Sequence, residues 1–263
     1  GAFYYVAKPG GTVSARMDTV AEELRAKLKA AVKSKKRLFR RLSSSDSSIK
    51  ERSEQIQKQP IIKQIDKSNY TSDFKAVVIG ISTGGPKTIT EVLPYLTPDL
   101  NAAFFLIQHM PPNFTKSFAE RLNTICPLEV KECSAMDEVM PGKLFVGKGG
   151  FHLTLLRKTN DKIIIRTPSV PEHQFMPSVD VCMESVLDVF GNKTIGVLMT
   201  GMGDDGAKAM KKIHDAGGFT IAESEETAIV FGMPARAIEL GAVDVIAPAY
   251  NIGKEIIKAI KRN

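Results

Sequence analysis

The sequence predicts an α/β fold built on a doubly wound, mostly parallel Rossmann-like sheet with an inserted antiparallel β-hairpin. From Lys75 onward, short apolar runs alternate with segments of helical periodicity. This alternation is typical of parallel strands that helices cover on both faces. The predicted strands are 76–80, 103–107, 144–147, 195–200, 219–222 and 243–246. The predicted helices are 86–96, 113–123, 178–190, 206–216, 232–240 and 250–261.

One segment departs from the alternation of strands and helices. Residues 153–157 and 162–166 are short apolar runs, and Thr159, Asn160 and Asp161 between them have the composition of a turn. Two such runs joined by a short turn predict an antiparallel hairpin.

Length and composition limit the class of protein. The chain has 263 residues, of which 43% are hydrophobic, enough for one large domain or a medium domain with an appendage. It contains no uninterrupted apolar stretch of membrane-spanning length, and we expect no transmembrane helix and no signal peptide. The three cysteines, Cys126, Cys133 and Cys182, form no C-x-x-C pair. We therefore expect buried thiols, a reducing and thus cytoplasmic compartment, and no structural zinc or other metal.

The net charge of +7 is concentrated in one segment. Residues 25–70 contain 14 Lys and Arg but only 4 Asp and Glu, whereas residues 71–263 contain 20 and 22. Because the globular part is not basic, the sequence does not indicate a nucleic-acid-binding fold or a nucleic-acid partner.

Three regions follow one another along the chain. Residues 1–42 contain a predicted strand at 3–6 and a predicted helix at 18–42 with a basic face. Residues 43–72 are rich in Ser, Lys and Gln, which is typical of a linker. Residues 73–263 contain the α/β pattern and form the predicted catalytic domain.

A serine lies on a glycine-rich turn directly after the first strand of this pattern. Gly80, Ser82 and Gly84 form a G-x-S-x-G sequence, in which a hydrolase exposes its nucleophile between a strand and a helix. The alternative is a serine that caps the following helix, at a turn that binds phosphate through helix N–H groups.

A histidine and an aspartate follow two other strands in the same way. His109 comes directly after 103–107, and Asp205 lies in the turn after 195–200. The carboxyl ends of parallel strands meet at one edge, where Ser, His and Asp form a nucleophile, its base and the group that orients the base. The chain order Ser, His, Asp differs from that of the α/β-hydrolases. A structural role for His109 is the alternative.

The turn at 201–206 has three interpretations. Its G-x-G-x-x-G pattern, with Glu223 about 20 residues further on, is typical of a dinucleotide site. Asp204 and Asp205 argue against that interpretation, because two carboxylates would repel a pyrophosphate. A metal site with both aspartates is a second interpretation. In the third, Asp205 orients a histidine, and the backbone N–H of Met202 faces a developing oxyanion.

Five segments together resemble the chemotaxis protein-glutamate methylesterases, the CheB-type enzymes, over residues 75–260. The resemblance rests, in order, on 80–85, 108–119, 177–180, 200–206 and 230–234. It implies that Ser82 is the nucleophile, His109 the general base, Asp205 the third member of the triad and the Met202 backbone N–H part of the oxyanion hole.

The same resemblance implies the reaction and its partners. The enzyme would remove methyl groups from glutamate methyl esters on the cytoplasmic portion of membrane-anchored chemoreceptors, and would deamidate receptor glutamines. No metal or organic cofactor is implied, and we expect Thr83 and Gly203 to line the site. Two other functions stay open: a dinucleotide-binding module that uses 201–206, and a non-catalytic adaptor whose residues 24–42 dock on an acidic or membrane surface.

The resemblance extends to the amino-terminal region. Residues 1–42 look like the last strand and helix of a response-regulator receiver domain, which a chemotaxis histidine kinase phosphorylates in the intact protein. The phospho-accepting aspartate is absent, so we expect the sequence to be a fragment of a longer protein without phosphorylation control.

Overall fold

The computed structural model describes residues 73–262 together with Arg25 and Leu28. Arg25 and Leu28 are helical and exposed. The other residues of the predicted strand at 3–6, the predicted helix at 18–42 and the predicted linker at 43–72 lie outside the described residues. The α/β region is described almost completely.

Over residues 73–262, the fold is built on a seven-stranded sheet with the spatial order β3-β4-β2-β1-β7-β8-β9. The strands are β1 Lys75–Ile81, β2 Ala102–Gln108, β3 Glu129–Glu132, β4 Lys143–Val146, β7 Thr194–Leu198, β8 Phe219–Glu223 and β9 Val245–Ala247. All six strand pairings are parallel. The predicted doubly wound, Rossmann-like α/β fold is confirmed.

The predicted hairpin is a separate two-stranded sheet. β5 Thr154–Arg157 pairs antiparallel with β6 Ile163–Arg166, and Leu155 lies opposite Ile165. Asp161 in the connecting turn has φ 61°, a left-handed conformation that Asp tolerates better than most residues. The prediction of an antiparallel insertion is confirmed.

Helices cover both faces of the large sheet. They are α1 Gly85–Thr88, α2 Thr115–Ile125, α3 Val179–Phe190, α4 Ala207–Asp215, α5 Met233–Glu239 and α6 Ala249–Lys261. The helix expected over 86–96 is instead the single turn α1 followed by 3-10 turns at Ile89–Glu91 and Leu93–Tyr95. Pro94 explains this difference, because it has no N–H to continue an α-helical ladder.

The strand β3 was missed in the sequence. Its four residues are Glu-Val-Lys-Glu, of which only Val130 is buried. Among the strands of residues 73–262, β3 is an edge strand that pairs with β4 alone. An edge strand needs little apolar surface, so its sequence carries a weak strand pattern.

Successive side chains of β1 alternate between two hydrophobic cores, one on each face of the sheet. Val77, Ile79 and Ile81 belong to the core that α2 and α6 cover. Ala76 and Val78 belong to the core formed with the hairpin, α3, α4 and α5. Successive side chains of a strand point to opposite faces, which gives three layers with every central strand buried on both sides.

β1 lies at the point where the sheet is wound in both directions. β2 follows on one side and β7 on the other, so the turns after all three strands meet at one edge. At this edge Gly80 allows a close approach: a Cβ there would overlap Val179 Cγ1 and lie 2.9 Å from Val179 Cγ2. The amino terminus of α3 thereby reaches the carboxyl end of β1.

This close approach predicts a coupled pair of mutations. Gly80→Ala should lower the free energy of unfolding by roughly 1–3 kcal/mol, because the added methyl overpacks the core. In the double variant with Val179→Ala, the loss should be smaller than the sum of the two single losses, since the colliding methyls are gone. Urea unfolding of the four proteins measures this. Additive losses would contradict the packing described for Gly80.

Candidate active site

Ser82 lies on a tightly bonded turn after β1. Its N–H donates to the Thr200 carbonyl at 2.9 Å, and its own carbonyl accepts from Gly85 N–H at 2.9 Å. Gly84 has φ 86°, which permits the sharp entry into α1. The Ser82 side chain is held in a fixed place at the carboxyl edge of the sheet.

The backbone of His109 is tied to that of Ser82. The side-chain amide of Gln108 donates to the carbonyls of Ser82 at 3.2 Å and His109 at 2.9 Å. The N–H of His109 donates to the Ile81 carbonyl. Gln108 was not assigned a role from the sequence, although it directly precedes the histidine.

The His109 ring lies between Ser82 and Asp205. Its Nδ1 is 3.1 Å from Ser82 Oγ, and its Nε2 is 2.7 Å from Asp205 Oδ2. All three residues are at most 5% exposed. A carboxylate can only accept, so Nε2 carries the proton and Nδ1 is free to accept one from the serine hydroxyl. The sequence placed these three residues at one edge, and the structure brings them into hydrogen-bond contact.

The amino terminus of α3 surrounds the carboxylate of Asp205 with donors. Ser178 Oγ donates at 2.8 Å, Val179 N–H at 2.7 Å and Asp180 N–H at 3.1 Å. Burial by itself raises the pKa of Asp205, but the hydrogen bond from His109 and those from the two backbone N–H groups outweigh burial, so the pKa lies below its ordinary value. Asp205 is therefore ionised at neutral pH.

Asp180, by contrast, does not reach the triad with its carboxylate. Its Oδ1 accepts from Ala209 N–H at 2.9 Å and so joins α3 to α4. Burial raises its pKa, and the nearby charge of Asp205 adds to that effect.

The turn at 201–206 passes close to the serine. A Cβ on Gly201 would lie 2.9 Å from Ser82 Cβ. The Gly201 carbonyl accepts from the N–H groups of Gly232 and Met233. In a trans peptide the N–H of Met202 points the opposite way, away from those two residues. The oxyanion role of Met202 stays a prediction.

The two expected lining residues lie in different surroundings. Thr83 is 2% exposed, and its Oγ1 has no hydrogen-bond partner within the part of the chain that the structure describes. Gly203 is exposed, with φ 89°. The structure places both on turns that contain a triad residue.

Glu223 is not placed to bind a ribose. It is fully buried, and its carboxylate accepts from Thr200 N–H and from Thr227 Oγ1, each at 2.8 Å. Thr200 in turn donates through Oγ1 to the Thr83 carbonyl at 2.8 Å. Glu223 thus supports the turn of the nucleophile instead of meeting a dinucleotide.

Two neighbours of the triad had no role in the sequence interpretation. Phe175 stacks on the His109 ring, with centroids 4.0 Å apart and planes 5° apart. Ser178 caps α3, accepting from Val181 N–H, and also donates to Asp205. Ser before a helical pattern predicts an N-cap, but no sequence pattern predicts the stacking of Phe175.

We find no arrangement of metal ligands within 73–262: no three or more His, Cys, Asp or Glu side chains converge on a common point. The three cysteines are buried thiols, as expected. Burial raises the pKa of Cys133 to about 12, which makes it a poor nucleophile. None of the helices described over those residues is long and apolar enough to cross a membrane.

Comparison with known proteins decides the family. The model of the CheB methylesterase family matches residues 77–256. The chain belongs to the CheB methylesterase family. This membership favours the hydrolase interpretation over the dinucleotide-binding alternative.

Members of the CheB methylesterase family are similar over nearly the whole chain. A protein-glutamate methylesterase/protein-glutamine glutaminase of Syntrophomonas wolfei is 52% identical, over 100% of this chain and 72% of its own length. One from Caldanaerobacter subterraneus is 44% identical, over 99% and 70%. The crystal structure of the Thermotoga maritima CheB methylesterase catalytic domain is 40% identical, with a TM-score of 0.66, covering 70% of this chain and 98% of that one.

The lowered pKa of Asp205 predicts how stability depends on pH. Its ionised form stabilises the folded state, and this contribution is complete above the unfolded pKa of about 3.9. It is lost as pH falls through the still lower folded pKa. Asp205→Asn should therefore cost roughly 1–3 kcal/mol at pH 7, because it disrupts a buried acceptor of several donors.

The measurement is urea unfolding of wild type and variant at pH 7, 5 and 3. The difference between them should be the same at pH 7 and 5 and should shrink at pH 3. Asp204→Asn, at the exposed neighbouring position, is the matched control and should show no comparable loss. An Asp205→Asn loss that is equal at pH 3 and pH 7 would contradict the assignment.

Proposed function

We propose that this chain hydrolyses glutamate methyl esters of chemoreceptors and deamidates receptor glutamines, through a triad of Ser82, His109 and Asp205. One observation carries the proposal: the His109 ring contacts Ser82 Oγ with one nitrogen and Asp205 Oδ2 with the other. The names of the relatives supply the reaction.

The first half of the reaction forms an ester between enzyme and substrate. Ser82 Oγ attacks the γ-carbonyl of the methylated glutamate while His109 Nδ1 accepts the hydroxyl proton. The imidazolium keeps its Nε2–H on Asp205, whose charge stabilises it. The proton on Nδ1 then passes to the departing methoxide, and methanol leaves.

The second half uses the same groups on water. His109 Nδ1 takes a proton from water, hydroxide attacks the acyl-enzyme, and Ser82 Oγ leaves and regains its proton. The product is glutamate. With a glutamine side chain the leaving group is ammonia instead of methanol, and the protein steps are unchanged.

Negative charge develops on the carbonyl oxygen in both halves. The backbone N–H of Met202 is the donor that we propose for it. Two observations support this choice. Gly201 lies close to Ser82, and the N–H groups of Gly232 and Met233 fix the orientation of the peptide that joins Gly201 to Met202 by binding its carbonyl. A donor fixed before the reaction stabilises such charge without reorganisation.

Substitution of the triad should abolish turnover. Ser82→Ala and His109→Ala should each lower kcat by on the order of 10³-fold or more, and Asp205→Asn by a similar or smaller factor, because triad members act as a unit. The assay is methanol release from methylated receptor, with ammonia release from a glutamine-containing receptor in parallel.

Ser117→Ala is the control, since Ser117 is exposed on α2 and bonds only its own helix turn at Phe114 among the described contacts. It should leave turnover unchanged. Near-normal methanol release by Ser82→Ala would show that the nucleophile is assigned wrongly. Micromolar binding of NAD that disappears on substitution of Gly203 would favour the dinucleotide-binding alternative.

The partners follow from the substrate. We propose that the enzyme acts in the cytoplasm, on the cytoplasmic portions of receptors that span a membrane. A chemotaxis histidine kinase is the phosphodonor that we propose for the intact protein.

We also propose that residues 73–263 form an autonomous catalytic domain, that 43–72 are a linker, and that 1–42 are the end of a receiver domain. Ser82, His109, Asp205 and the sheet strands that carry them lie in the first of these ranges. The Thermotoga maritima catalytic domain, solved as a separate chain, supports this boundary.

Removal of residues 1–72 tests the boundary. The truncated chain should melt within about 4 °C of the full chain, a difference of about 1 kcal/mol for a domain of this size. Its esterase activity should be equal or higher, because the complete triad is retained. Thermal melts and receptor demethylation on both chains measure this. A much lower melting temperature would mean that the removed segment belongs to the core.

A further inference from the structure

The face of the His109 ring is covered by Phe175. The two rings are nearly parallel, with centroids 4.0 Å apart. Ser82 and Asp205 contact the edge of the imidazole, through its nitrogens. Phe175 instead lies against the π face, where it makes no hydrogen bond with the ring.

The loop that presents Phe175 is fixed on both sides of it. Upstream, His152 Nε2 is 2.9 Å from the Pro171 carbonyl, and downstream His152 Nδ1 accepts from Ser178 N–H at 3.3 Å. Phe175 N–H donates to His173 Nδ1 at 3.2 Å. These contacts require the neutral tautomer of His152 with its proton on Nε2. These hydrogen bonds hold the loop in place and so position the phenyl ring of Phe175.

The charge on the stacked imidazole changes during the proposed reaction. It is neutral before attack and cationic once Nδ1 has taken the serine proton. A cation within about 6 Å of a phenyl centroid is stabilised by the negative face of the ring, and a neutral ring gains much less. The stack therefore acts more strongly on the transition state than on the resting enzyme.

We propose that Phe175 is a positioning residue of the catalytic histidine, which fixes the plane of the His109 ring and stabilises its cationic form during turnover. The proposal rests on the proposed function, since it needs His109 to be the base. The charged and titratable groups on the other sides are Asp205, which contacts Nε2, and His173, whose ring lies 6.5 Å from Phe175. Asp180 lies directly beside Asp205, to which its backbone N–H donates, and its own carboxylate accepts from Ala209 N–H.

Replacement of the phenyl ring by an aliphatic side chain tests the proposal. Phe175→Leu keeps apolar bulk over His109 but removes the π face, so kcat should fall roughly 2- to 30-fold with little change in KM, which corresponds to about 0.5–2 kcal/mol. Phe175→Tyr keeps the face and should retain kcat within about 2-fold.

The pH profile distinguishes this role from a merely structural one. Activity on the acidic limb of kcat/KM requires unprotonated His109. Loss of a contact that favours the cation makes the imidazole harder to protonate, so in Phe175→Leu the limb should move to lower pH. The expected displacement is about 0.4–1.5 pH units. In Phe175→Tyr the limb should stay in place.

Phe151→Leu is the matched control. Phe151 is a partly exposed phenyl on the loop after β4, and Lys148 lies over its ring. Phe151→Leu should change neither kcat nor the pH of the acidic limb of kcat/KM. Urea unfolding of each variant verifies that it is folded. Phe175→Trp is a further test: because Trp is a stronger cation–π partner than Phe, the acidic limb should move to higher pH.

The two hypotheses fail in different ways. Full activity of Ser82→Ala would overturn the proposed function itself. If Ser82→Ala is inactive, the role of Phe175 is overturned by a Phe175→Leu enzyme with an unmoved acidic limb, or by Tyr and Leu variants that lose the same activity. The role of Phe175 is supported if the acidic limb of kcat/KM moves to lower pH in Phe175→Leu, moves to higher pH in Phe175→Trp and stays in place in Phe175→Tyr.

Discussion

The buried negative charge of Asp205 is the constraint on which the rest of this site depends. An ionised carboxylate in a protein interior needs donors for its lone pairs. Here a helix terminus, a serine hydroxyl and an imidazole supply them. The same contacts fix the tautomer of His109 and so leave Nδ1 as the acceptor for Ser82. Sheet geometry alone could bring the three residues near one another, but this charge determines what each can do.

Helix α3 can approach Asp205 because Gly80, at the end of β1, has no side chain to keep the helix away. The side chain of Val179 occupies the space that a Cβ on Gly80 would need, and its backbone N–H is one of the donors to Asp205. Val179 therefore both fills the space beside Gly80 at the end of β1 and donates a hydrogen bond to Asp205 after β7. The core and the site are parts of the same arrangement.

The positions of Ser82, His109 and Asp205 could be predicted because strand ends are easily located in sequence and parallel strands share an edge. Their supports could not. Phe175 lies on an irregular loop, and Gln108 acts through its side-chain amide, so neither leaves a periodic pattern. Pro94 interrupts the helix expected over 86–96, because a helical apolar spacing continues across a residue that cannot donate to the helix ladder. The strand β3 was missed because three of its four residues are charged.

That charged strand also bears on how the molecule behaves among other copies of itself. Unpaired backbone groups along a sheet edge can recruit strands from other chains, and long apolar edges are the most prone to do so. In the part of the chain that the structure describes, the edge strands are β3, four residues with Glu129, Lys131 and Glu132, and β9, three residues long. A sheet whose central strands are strongly apolar thus ends on both sides in strands too short or too charged to template aggregation.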